Sequence, residues 1–197
     1  MRIPCLKMFG YTAIGAPLLF AVCWILSAST DGSWQFGVNS LSDMGISDNA
    51  VSAFLFNFGC IITGILGIII GFGMLTYGKR TLWIGAIPYM VGMMFLSLVG
   101  VFTLDNPNVH DRVASAFGLF TGIALIIASA SDWRLSWYLY ADVILLVLSV
   151  FEIMTQPFPM WEAVTTIVTM IWVFILGLKV MRNEEALFSD SPRIGGH

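Results

Sequence analysis

Six runs of about 20 mostly apolar residues, each enough to cross a hydrocarbon core of about 30 Å, leave this chain few ways to fold. They are Tyr11–Ala28, Val51–Tyr77, Leu82–Phe102, Val113–Ala130, Leu135–Met154 and Ala163–Met181. A backbone in lipid must satisfy its own hydrogen bonds, so such runs become helices. Pro17, Pro88, Gly64, Gly67 and Gly71 within them do not argue otherwise. Strands of alternating polarity, which a membrane barrel needs, are absent. Composition agrees: 58% of the 197 residues are hydrophobic and 11% are charged, too few charges for a water-facing surface. The chain therefore reads as an all-α integral membrane protein, a six-transmembrane-helix bundle. One domain spans 1–182, and 183–197 form a short polar cytoplasmic tail.

Arg2 and Lys7 before a run that ends in Ser27-Ala28-Ser29 resemble a signal peptide, but the segment is read as the first transmembrane helix. No loop is long enough for a second domain, and no repeat links the two halves, which weakens a transporter built on inverted repeats. Cys5, Cys23 and Cys60 offer no pair in an exterior loop and no CxxC spacing, so they read as small hydrophobes. Neither a cofactor nor a metal is expected. His197, the only other histidine, falls on the side of the membrane opposite His110, so no tri-histidine zinc site can form.

Charge sets the expected threading. Arg2, Lys7, Lys79, Arg80, Arg134, Lys179, Arg182 and Arg193 fall on one side of a six-span thread, and Arg112 alone falls on the other. The positive-inside rule then puts both termini in the cytoplasm of a multi-pass cell-membrane protein. Asp31, Asp43, Asp48, Asp105, Asp111, Glu152 and Glu162 gather at the outer face, against Asp132, Glu184, Glu185 and Asp190 inside. The outer mouth is electronegative, and the net charge of −3 offers nucleic acid no basic face. Trp24, Trp34, Trp133, Trp137 and Trp161 lie near span ends, where an aromatic belt would place them.

On the second helix Asn57, Cys60, Gly64, Gly67 and Gly71 share one face. Gly67 and Gly71 form a GxxxG that lets a neighbour approach closely. Asn57 must point inward to find a partner near the outer end. The fourth helix opens with His110-Asp111-Arg112 and carries Ala114, Gly118, Thr121 and Gly122 on the histidine's face, Gly118 and Gly122 reading as a second close-approach pair. His110 reads as a helix-start hydrogen-bonder, a proton carrier or a metal ligand. On the fifth helix Asp142, Ser149 and Glu152 share a face. Asp142 is an intramembrane acid that either carries function or pairs with Arg134 or Tyr138. Glu162, Thr165, Thr166 and Thr169 line one side of the sixth.

The expected ligand-binding set is thus Ser42, Asp43, Asn57, Asp105, His110, Asp111, Glu152 and Glu162. Asp43, Asn57, His110 and Glu162 form one hydrogen-bonded cluster in it, with Asp105 and Asp111 at the rim. Asn39-Ser40-Leu41-Ser42-Asp43-Met44-Gly45 with Asn57, and Val99-Gly100-Val101-Phe102 running to Val109-His110-Asp111, resemble the prokaryotic "domain of unknown function 998" family over nearly the whole chain. More distantly the chain is similar to the Frag/DRAM/Sfk membrane proteins, through Ser42-Asp43-Met44-Gly45, His110 and Glu162, with Thr103 where a proline is expected. That wider group is associated with lipid handling. The resemblance implies architecture and candidate sites rather than a reaction.

Three functions remain open. The first is a lipid-handling membrane protein whose outer pocket binds a head group or a cation, with the bilayer as its environment. The second is an intramembrane hydrolase or acyl-transfer enzyme using His110 with Asp43 and Glu162. It needs a convergent serine or water, and Ser40 and Ser42 are the serine candidates, though no motif marks either. The third is a small transporter or channel, motivated by Asp142.

Overall fold

The computed structural model describes residues 3–78, 80–130 and 136–182, with residues 3–5, 80–81 and 136–137 described by backbone alone. Six helices carry the chain: α1 (Ile3–Asp31), α2 (Ala50–Tyr77), α3 (Arg80–Val101), α4 (Pro107–Ser129), α5 (Ser136–Thr155) and α6 (Phe158–Met181). All six hold a stretch long and apolar enough to span a bilayer. Among the described residues the only β pairing is an isolated bridge between Phe36 and Asn39. Arg2, Lys79, Asp132, Trp133, Arg134 and the tail 183–197 lie outside the described residues, as do the side chains of Cys5, Arg80 and Trp137.

Of the helices that begin earlier than hydropathy alone predicts, two shape a cavity. α4 starts at Pro107 rather than Val113, and α6 at Phe158 rather than Ala163. Each added segment has proline in its first two positions, where the missing N–H costs nothing. Each also carries a polar residue, His110 or Glu162, that a search for apolar runs excludes. The polar, glycine-containing loop between α1 and α2 holds a short 3₁₀ helix, Leu41–Ile46. Ser40 caps it: its side chain accepts from the Asp43 N–H, and the Asp43 carboxylate accepts from the Ser40 N–H at 2.8 Å.

Each helix packs on its neighbours in the chain, and α6 returns to α1, so the six form a ring. Small residues close one part of it. A Cβ added at Gly67 or Gly71 would strike Met93 or Met90 of α3, so this GxxxG is a true close approach. Ser27 and Ser52 clamp α1 to α2 reciprocally, each hydroxyl donating to the other's carbonyl at 2.8 and 2.9 Å. Phe9, Phe20, Phe56, Met74, Tyr89 and Trp172 fill the space between. Trp24 and Trp34 are turned inward and meet edge to face at 6.3 Å between centroids, so they belong to this packing rather than to an interfacial belt.

The rest of the ring is open. Gly118 and Gly122, with the same spacing as Gly67 and Gly71, have nothing within 4 Å of an added Cβ. The expected second close-approach pair is therefore absent: α5, the helix that would complete it, touches α4 sparingly. A cavity of about 870 Å³ fills the gap.

Candidate functional site

The cavity begins under the 3₁₀ helix and runs along α4 from His110 to Leu125, roughly 22 Å at 1.5 Å per residue. Its two ends differ in chemistry. Ser42, His110, Asp111 and Glu162 line the first end, while Leu125, Leu146 and Val168 line the deeper part. Four of the six hydroxyls along the way are already committed. Those of Thr121, Ser149, Thr165 and Thr169 each donate to a carbonyl of their own helix at 2.6–3.0 Å. Ser115 and Thr166 aside, the deeper wall is apolar to a ligand.

The polar end is built by three separate elements. His110 sits on the first turn of α4, buried to 4% exposure, where it reaches back to the end of α3. Its Nδ1 lies 2.7 Å from the Phe102 carbonyl. A carbonyl can only accept, so Nδ1 carries the hydrogen, and in the neutral ring the lone pair is then at Nε2. Nε2 lies 2.8 Å from Ser42 Oγ, which is itself 6% exposed. Glu162, on the first turns of α6, accepts from the Leu41 N–H at 2.7 Å and faces Ser42 Oγ at 3.4 Å. Against a neutral ring the Ser42 hydroxyl has one hydrogen and two acceptors in reach, Nε2 at 2.8 Å and Glu162 Oε1 at 3.4 Å, and the shorter contact favours His110.

The arrangement joins His110 to Glu162 through Ser42, but the expected four-member cluster does not form. Asp43 is committed to the Ser40 cap, with no hydrogen bond to His110 or Glu162 among the described residues. Asn57 points inward as expected, yet its amide donates at 2.9 Å to the Gly45 carbonyl and so pins the 3₁₀ helix to α2. Gly45 must be small there, because a Cβ would meet the Asn57 side-chain oxygen at 2.7 Å. Asp105 is exposed and accepts from Thr103 at 2.8 Å, whereas Asp111 lines the cavity mouth. Glu152 stays apart from the cluster, its Oε2 buried without a hydrogen bond.

Asp142 belongs to the other end of the bundle. Its partner is Lys179 of α6, Nζ to Oδ2 3.7 Å, with both side chains buried. The Tyr138 ring covers the ammonium at 4.7 Å from its centroid. Of the two expected partners, Tyr138 contributes its ring and Arg134 lies outside the described residues. Lys179, expected among the solvent-side basic residues, is instead 3% exposed.

The Ser42–His110 pairing is what the sequence reading missed. The two stand 68 residues apart, and no local pattern joins them. The usable signal was the Ser40-x-x-Asp43 capping box. It commits Asp43 to a cap and leaves Ser42 to face the bundle.

No curated protein and no solved structure matches the chain. A family described as "Protein of unknown function (DUF998)" matches residues 14–179. That span holds all six helices in whole or in large part, together with Ser42, His110 and Glu162, and the chain belongs to this family of membrane proteins of unknown function.

Proposed function

We propose that the protein handles an amphiphile of the bilayer. One hydrocarbon chain lies in the cavity between α4, α5 and α6, and the polar end meets Ser42, His110 and Glu162. The observation that carries this reading is the change from polar to apolar along one cavity of about 870 Å³, within the size range of ligand pockets. Acidic groups at this end of the bundle, Asp111 lining the cavity and Asp105 and Asp48 exposed, favour a zwitterionic or cationic head group over an anionic one. The unequal split of lysine and arginine supports a threading with both termini in the cytoplasm and the cavity mouth in the outer leaflet of the cell membrane.

Filling the cavity tests the reading. Gly118→Phe and Gly122→Phe add bulk where nothing stands within 4 Å, so both variants are expected to fold with unchanged thermal stability. Both should capture a phosphatidylethanolamine with a photoactivatable acyl chain at least tenfold less than the unaltered protein. Equal capture by folded variants would overturn the proposal. Threading is tested separately. Asp48→Cys should react with a membrane-impermeant maleimide in intact cells, and Arg182→Cys only after permeabilisation. The reverse pattern would invert the bundle.

A further inference from the structure

We propose that Ser42 is a nucleophile with His110 as its general base, so that the site accepts the acyl group of an ester lipid. This rests on the amphiphile-binding reading, because the substrate is the ester form of the molecule held in the cavity. Three observations lead there. Ser42 Oγ lies 2.8 Å from His110 Nε2, within the distance at which a base takes a hydroxyl proton. The Phe102 carbonyl holds the ring through Nδ1 at 2.7 Å, in the tautomer that leaves Nε2 free to accept. Both side chains line the polar end of the cavity. An ester lipid with its chain along α4 brings its carbonyl to that end.

Anchoring the 3₁₀ helix does not account for the pairing. Glu162 already ties Leu41 to α6 at 2.7 Å, and Asn57 ties Gly45 to α2 at 2.9 Å. Neither bond needs a serine at 42 or an imidazole against it.

The steps balance with the groups present. Ser42 Oγ attacks the ester carbonyl carbon as its proton passes to His110 Nε2. The bond from that carbon to the alkoxy oxygen then breaks, and the departing alcohol takes the proton from Nε2. The acyl group is left as an ester on Ser42. Water, or the hydroxyl of a second lipid, next attacks this ester and gives its proton to Nε2. That proton returns to Ser42 Oγ as the free acid or the new ester leaves.

The test uses the full chain in phosphatidylcholine nanodiscs, treated with a fluorophosphonate bearing a hexadecyl chain and read by intact mass and peptide mapping. One adduct is expected, mapping to Ser42. It should be absent in Ser42→Ala and form about 100-fold more slowly in His110→Gln, the scale of a lost general base. Ser42→Cys, which keeps a nucleophile, should take a palmitoyl group from p-nitrophenyl palmitate. If Ser42→Ala fails to fold, mapping of the unaltered protein still decides the site. An adduct elsewhere, or none while the photoactivatable lipid is still captured, overturns the inference and leaves the binding reading standing. An adduct at Ser42 that forms equally fast in folded His110→Gln overturns the role of His110. Loss of lipid capture by the unaltered protein ends both readings together.

Discussion

Leucine at both Gly67 and Gly71 is expected to prevent assembly of the bundle. Met93 and Met90 of α3 already occupy the space where each first side-chain carbon would sit. A methionine can shift its far end, but here the Cγ atoms close to the α3 backbone are the obstacle. Overpacking one core site costs about 1–3 kcal/mol, so two neighbouring sites on one seam approach the whole stability of an ordinary domain. The seam cannot be relieved by a small tilt, because Ser97 Oγ also bonds across it to the Ile61 carbonyl at 3.1 Å. In the membrane, association of these helices depends on such close van der Waals contact. Size-exclusion profiles in detergent and thermal unfolding check the result, and a double variant that is monodisperse with an unchanged melting temperature would contradict it. Leucine at Gly118 and Gly122 serves as the control, since the same spacing on α4 meets open space.

The second large effect concerns the buried ion pair. Lys179→Met alone strands the Asp142 carboxylate in an apolar interior, and Asp142→Leu alone strands the ammonium. Removing one partner of a buried pair costs about 3–5 kcal/mol, and replacing both with apolar residues often costs little or even stabilises. Lys179→Met combined with Asp142→Leu is therefore expected to unfold close to the unaltered protein, and each single variant far below it. The difference is a coupling energy read directly from the mutant cycle. Near-additive losses would mean that the two groups do not depend on each other. Lipid capture and serine labelling should survive in the double variant, because this pair lies away from the cavity's polar end.

How much of this was legible in the sequence follows from what each feature depends on. The six spans were legible because bilayer thickness fixes their length, whatever packs beside them. The two glycine pairs show where that legibility stops. Gly67–Gly71 and Gly118–Gly122 have the same spacing, yet only the first meets a neighbouring helix. Small residues record that a helix could come close, and the topology decides whether one does. Ser42 and Asp43 differ in a similar way. Successive residues of a 3₁₀ helix point about 120° apart, so one faces His110 and the other the Ser40 cap. Without that turn in view, both adjacent residues are expected at the site. Asp142 was recognised as an internal acid, but Lys179 sits near a helix end and so resembled a residue reaching for water.

The sparing contact of α5 has a consequence of its own. Only 17% of its apolar stretch is buried within the protein, against 33–44% for the other five. One wall of the cavity therefore owes most of its surroundings to acyl chains of the membrane. Its distance from α4 is set where lateral pressure from the lipids balances the few contacts that hold it. Thickening, thinning or crowding the bilayer shifts that balance without altering a residue. The width of the cavity is in that sense a mechanical property shared between the chain and the membrane around it.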